Sequence, residues 1–358
     1  MLFKLSCLVA ALATVSLASP ITEVVRAIPE LPRLIIYFQT THSANGKPIS
    51  MLPLVNQKGI ALTHLIVCSL HVNEGGQIHL NDYPPSNALF YTLWNETQIM
   101  KNAGIKVMGM VGGAAPGSFS TGTLDGNPAT FEKYYGQLRD VIRQYKLQGL
   151  DIDVEQPMSQ AGIQRLVARL HTDFGPDFII SLAPVASALS GGPNLSGFDY
   201  KVLDSGEGSK INFYNGQFYS GFGSMSNPSL YNRIVAGGFK ASRVVAGQLT
   251  SPDNGSGYIP DSQLNATVIS LRNQHGQIGG VMGWEYFNSV PGKTSEPWKW
   301  AQIMTQILRP NSVPKLRISK STAEQLATAF DQSTKAHPLS NSRIQDSENV
   351  DYHAMINI

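Results

Sequence analysis

Eight short apolar or β-branched runs, separated by segments of helical period, constrain this chain more than any other feature. They are RLIIYFQ (33–39), LTHLIVCS (62–69), IKVMGMVGG (105–113), LQGLDIDVE (147–155), DFIISLAP (177–184), INFYNGQFY (211–219), RVVAGQL (243–249) and QIGGVMGWE (277–285). Between them Phe131, Tyr135, Leu138, Ile142 and Tyr145 recur at three and four residues, as do Ile163, Leu166, Leu170 and Phe174 before Gly175-Pro176. Residues 87–103 predict a further helix ending at Gly104. Strands that alternate with helices pair in parallel. Eight such units over about 275 residues are the size and count of a (β/α)8 TIM barrel. The competing α/β architecture is a doubly wound open sheet, but the chain carries no dinucleotide-binding glycine fingerprint.

The expected organisation is therefore a single α/β barrel domain over residues 31–310. With 358 residues and 42% hydrophobic content, such a chain can bury a large core. Before it, MLFKLSCLVAALATVSLASP sets Lys4 ahead of an apolar run that closes on the small residues of Ser16-Leu17-Ala18, the pattern of a secretory signal peptide over residues 1–18. After it, residues 311–358 predict a short helical extension and a flexible tail open to processing. Ser321-Thr322-Ala323-Glu324 is a capping-box pattern that opens a helix through about Ala336.

Charge and cysteine content narrow the partners. A net charge of +2 and a pI near 8.4, with scattered basic residues, give no footprint for nucleic acid. No segment after the leader reaches the roughly 18 apolar residues of a membrane span. The expected product is a secreted extracellular monomer. Cys7 leaves with the leader, and Cys68 in LTHLIVCSL predicts a small buried thiol. No paired His or Cys spacing suggests a metal, and no cofactor is expected: the Gly-rich VGGAAPG (111–117) lacks the Lys of a phosphate loop. Sequons at Asn95, Asn194, Asn254 and Asn265 are candidate glycosylation sites that fit secretion. Asn254, within PDNGSG, predicts a surface turn.

The fourth run holds the chemistry. In GLDIDVE, Leu150, Ile152 and Val154 suit a buried strand, yet Asp151, Asp153 and Glu155 alternate with them. Alternate strand residues lie roughly 6.6 Å apart on one face. Two unit charges roughly 7 Å apart, at an effective dielectric near 20, repel by about 2.4 kcal/mol, or between one and two pKa units. Three full charges are therefore not expected together, and carboxylates whose pKa values are split apart are how acid and base roles are assigned. A solvated edge strand is the plain alternative. In a barrel the C-terminal strand ends carry catalysis, which puts Glu155 at the mouth and Asp151 deepest.

These residues resemble glycoside hydrolase family 18, whose fourth-strand motif is DGxDxDxE. Gly149, Asp151, Asp153 and Glu155 match it, and Gln148 departs from its leading Asp. MVGG (110–113), QFY (217–219) and GGVMGW (279–284) are similar to the family's third, sixth and eighth strands. Segments such as LPRLIIYFQTTH, VMGMVGGAAPGSF, DVEQPMSQ and FYSGFGSM resemble secreted fungal endo-β-N-acetylglucosaminidases most, enzymes that cut between the two core GlcNAc residues of N-glycans on glycoproteins.

The resemblance implies substrate-assisted hydrolysis, an exception to the two-carboxylate scheme. Glu155 would protonate the glycosidic oxygen, while the substrate's 2-acetamido oxygen attacks the anomeric carbon to form an oxazolinium. Asp153 would orient the acetamide N–H, Asp151 would support Asp153, and Tyr219 would hydrogen-bond the acetamido oxygen. A proton shared between Asp151 and Asp153 would relieve their repulsion and, by moving toward Glu155, help keep that acid protonated. Trp284 would form the floor under the sugar, and Gln217, Tyr37 and Gly113 would line the cleft.

Alternatives stay open at this point. Trp284 could be core packing, Tyr214 rather than Tyr219 could be the hydroxyl partner, and Gly112-Gly113 could serve only close packing. A chitinase would use the same catalytic residues. An inactive lectin-like barrel is the reading from a different class, though such relatives lose the acid or its assisting Asp.

Overall fold

The computed structural model describes residues 30–312, 314 and 318–336. The expected leader (1–18) and the tail beyond Ala336 lie outside the described residues.

Eight parallel strands close on themselves. In chain order they are Arg33–Phe38, His64–His71, Lys106–Gly113, Gly149–Val154, Ile179–Leu182, Phe213–Gln217, Val244–Leu249 and Gly280–Trp284. Each pairs with the next, and the eighth returns to the first through Arg33↔Gly280 and Ile35↔Met282, which makes the sheet a barrel rather than an open sheet. Seven fall within the runs expected from the sequence, and the second, expected within 62–69, continues to His71. A two-residue strand that was not expected, His79–Leu80, adds antiparallel to the end of the second, with Leu70 opposite Leu80.

Strand alternation divides the core in two. Ile35, Tyr37, Ile66, Cys68, Met108, Met110, Phe213, Val245 and Met282 fill the barrel interior. Leu34, Ile36, Phe38, Leu65, Val67, Leu150, Ile152 and Ile180 face the surrounding helices. Because the side-chain period is two, a one-residue slip of the fourth strand would drive Asp151 and Asp153 among the helices and Leu150 and Ile152 into the barrel. Burying each large aliphatic side chain contributes about 1.5–3 kcal/mol, so that register is firmly held.

The helices start and stop where their caps dictate. Pro128–Gln144 opens on Asn127, whose side chain accepts from Thr130 N, and its buried stripe contains Phe131, Tyr135, Leu138 and Ile142. Gln160–Phe174 opens on Ser159 and ends at Gly175, whose φ of +80° only glycine adopts freely. The last helix, Lys320–Ala336, packs against Tyr91–Asn102 with Ala323 buried. Its cap differs from expectation: Ser319, not Ser321, accepts from the backbone N of Thr322 at 3.1 Å, so the helix begins earlier than the capping-box pattern implied.

Candidate active site

Asp151 and Asp153 point from the fourth strand into the barrel, and Glu155 follows at its C-terminal end, partly exposed. The face that carries the acids is the barrel interior, which is why apolar residues alternate with them. Strand register then supplies their partners.

Asp151 is fully buried and cradled by three donors. Ser181 Oγ donates to Oδ1 at 2.5 Å from the neighbouring strand position, Asn215 Nδ2 donates to Oδ1 at 3.1 Å, and Tyr37 Oη donates to Oδ2 at 2.6 Å. Asn215 also donates to the Tyr37 hydroxyl at 3.0 Å. Burial raises the Asp151 pKa, and the donors from Ser181, Tyr37 and Asn215 oppose it.

Asp153 is 5% exposed, and its pKa is pushed well up by burial, then by the charges of Glu155 and Asp151 and by a hydrogen bond shared with Glu155. Asp151 accepts from Tyr37, Ser181 and Asn215, and Asp153 shares the Gln217 donor with Glu155.

Gln217, at the end of the sixth strand, ties the pair down. Its Nε2 lies 3.2 Å from Asp153 Oδ1, 3.1 Å from Glu155 Oε1 and 3.0 Å from the carbonyl of Ala183. On the other side Gly112 sits opposite Asp153 in the ladder, with φ +102°; a Cβ there would lie 2.1 Å from the Asp153 carbonyl oxygen. The Gly112-Gly113 pair thus meets a need for close packing, and a Cβ on Gly113 would come within 4.0 Å of Asp153 Oδ2.

The other expected residues divide. Tyr219 joins the inner cluster, and burial together with the charges of Asp153, Glu155 and Asp151 holds its phenol protonated, a donor rather than a phenolate. Tyr214 faces outward, its hydroxyl spent on Asp204 Oδ1 at 2.7 Å, which removes it as the alternative. Trp284 is partly exposed at the end of the eighth strand, its ring packed on Tyr37 edge-on at 5.6 Å. Tyr37 does not line a cleft: at 1% exposure it lies beneath the site and belongs to the Asp151 cradle. Cys68 is a buried free thiol, raised in pKa by burial.

Among the sequons, Asn95 is corrected by the fold. It sits 7% exposed within the helix Tyr91–Asn102, and Thr97 is fully buried with its hydroxyl donated to the Trp94 carbonyl, so the folded chain leaves no room for a glycan. Asn194 is exposed and donates one hydrogen bond, to the Phe198 carbonyl at 2.7 Å. Asn265 is partly exposed on the outer helix Asp261–His275. Asn254 does lie in a turn, the 3-10 segment Pro252–Asn254, but its amide faces inward. Ser181 and Asn215 were missed. Both are polar residues at inward positions of apolar strands, and the same period that singled out the acids marks them.

With this geometry in view, four similarities are informative. Residues 33–242 match the model for glycosyl hydrolases family 18. A solved fungal endo-beta-N-acetylglucosaminidase of that family is 67% identical, with a TM-score of 0.78 over 79% of this chain and all of that one. Chitinase ChiC from Aspergillus fumigatus is 49% identical, with a TM-score of 0.70 over 76% of this chain and 98% of that one. Chitinase 2 from Rhizopus oligosporus is 26% identical over 249 residues, which are 62% of this chain and 43% of that protein's length.

Proposed function

The chain belongs to glycosyl hydrolases family 18 and is a glycoside hydrolase, and on that premise we propose that it is an endo-β-N-acetylglucosaminidase that cleaves the GlcNAc-β1,4-GlcNAc core of high-mannose N-glycans on glycoproteins. The reading includes retention of configuration by substrate assistance, through an oxazolinium. The observation that carries it is the Gln217 amide nitrogen that lies 3.2 Å from Asp153 and 3.1 Å from Glu155. A protein nucleophile or a base for water would need a second carboxylate set off from the acid by about 5–9.5 Å across the sugar. Here Asp153 shares one donor with Glu155, and Asp151 is consumed by Tyr37, Ser181 and Asn215. The nucleophile then comes from the substrate's acetamide.

In this reading Glu155 delivers its proton to the glycosidic oxygen. Asp153 turns from Glu155 to the acetamide N–H, and Tyr219 donates to the acetamido oxygen from the other side. Trp284 supports the distorted sugar. Preference for the N-glycan core is supported by the 67% identity to the fungal endo-beta-N-acetylglucosaminidase, against 49% to Aspergillus fumigatus ChiC. Chitin hydrolysis is the second reading, favoured by that ChiC similarity and by the Rhizopus chitinase. Secretion belongs to the same proposal, supported by the apolar run of residues 1–18. Side-by-side incubation with a high-mannose glycoprotein and a chitin oligomer tests the substrate: release of glycan, leaving one GlcNAc on Asn, supports the first reading, and cleavage of the oligomer alone supports the second.

A further inference from the structure

Asn254 stands in a sequon, Asn254-Gly255-Ser256, on the loop that follows the seventh strand, yet its side chain makes the wrong contacts for a sugar acceptor. Nδ2 donates to the carbonyl oxygen of Trp284 at 3.0 Å and to Thr250 Oγ1 at 3.1 Å. Oδ1 accepts from Asn288 Nδ2 at 2.5 Å, which settles which end of the amide faces the carbonyl. Thr250 closes the arrangement. Its backbone N donates to the same Trp284 oxygen at 2.8 Å, and its hydroxyl donates to the carbonyl of Glu285 at 2.5 Å.

The Trp284 carbonyl is the last group of the eighth strand, where pairing with the seventh ends at Leu249↔Trp284. Two donors on one carbonyl fix the peptide plane beside the Cα that carries the indole. The partly exposed indole packs edge-on against Tyr37 and on the inner apolar cluster, and its backbone is held by these donors. An N-linked sugar replaces one of the two hydrogens on Nδ2, and both are in use. Occupancy of the sequon therefore breaks one of these two bonds. Asn194 differs, because its Nδ2 makes one bond and has a hydrogen to spare.

We propose that Asn254 is a positioning residue for Trp284, and that its sequon stays empty in the active protein because a glycan there would take one of the two hydrogens that tie Asn254 to the Trp284 carbonyl and to Thr250. This rests on the reading of Trp284 as the sugar platform. Removing one well-placed buried hydrogen-bonding group typically weakens what it holds by about tenfold.

The test combines glycopeptide mass spectrometry of the full secreted chain with kinetics on whichever glycan the wild type cleaves. The Asn254 peptide should carry no sugar. Ser256→Ala, which removes the sequon without touching the amide, should leave kcat/KM unchanged. Asn254→Asp keeps the shape and the acceptor for Asn288 but loses both donors; it should lower kcat about tenfold with little change in KM. Asn254→Ala should do the same, and either change should cost less than about twofold in a Trp284→Ala background, since coupled residues are non-additive. A sugar on Asn254 in active protein would overturn the proposal, as would a tenfold loss that persists without the indole, or no loss in either Asn254 variant while Trp284→Ala is impaired. Full activity of Trp284→Ala would instead remove the platform reading, and the positioning role with it.

Discussion

A single amide nitrogen, Nε2 of Gln217, lies 3.2 Å from Asp153 and 3.1 Å from Glu155. A donor shared by two carboxyls couples the position of each to the other. Chemistry at this site is therefore a property of the pair, held between the Gln217 amide and the close-packed Gly112.

Glu155→Gln keeps the shape of the acid and cannot donate its proton. Hydrolysis should fall by roughly 10²–10⁴, while the melting temperature and glycan binding change little. Near-normal turnover would remove Glu155 as the acid.

Asp153→Asn should impair hydrolysis but spare reaction with a preformed sugar oxazoline, because Asp153 serves formation of that intermediate more than its opening. Comparing the two substrates separates the steps. An oxazoline reaction lost as completely as in Glu155→Gln would contradict substrate assistance.

Gln217→Met removes the donor that opposes the rise in the Asp153 pKa. Asp153 then holds its proton to higher pH, so the acidic limb of the kcat/KM profile should move upward. A limb that stays put, or moves to lower pH, would show that the limb does not report this pair.

Glu96 offers a pH dependence away from the site. Buried beneath Ser50 and Met51, which donate to it at 2.8 and 2.7 Å, its carboxyl is pushed up by burial to about 7. The folded state holds this proton more tightly than the unfolded chain. Its contribution is therefore complete below the unfolded pKa, near 4.5, and is lost as pH rises to about 7. Glu96→Gln, whose amide can donate to Ser50 and accept from Met51, should flatten the fall in melting temperature between pH 4.5 and 7, and should melt at least as high as wild type at pH 8. A variant that keeps the full wild-type slope would contradict this.

The barrel was legible because strand alternation is a local signal: Leu34, Ile36 and Phe38 outward, Ile35 and Tyr37 inward, and the acids of the fourth strand on the inward face. The acids were legible for the same reason, since Asp in an apolar strand has few innocent explanations. What was hidden depends on pairing across the sheet. Nothing local shows that Ser181 lies opposite Asp151 or that Tyr37 reaches across to it, and these contacts anchor Asp151 beneath the site. The turn at Asn254 was legible, and the direction of its side chain was not. Turn chemistry predicts where the backbone bends, and the direction of its amide is set by a carbonyl from residue 284.

The most direct test of the account is mass spectrometry of a high-mannose glycoprotein, and of the chain's own glycopeptides at Asn194 and Asn265, after exposure to wild type and to Glu155→Gln, with a chitin oligomer run in parallel. The account predicts single GlcNAc residues left on Asn by the wild type, intact high-mannose glycans with Glu155→Gln, and slower cleavage of the oligomer. Intact glycans with both proteins, beside rapid cleavage of the oligomer by the wild type, would contradict it.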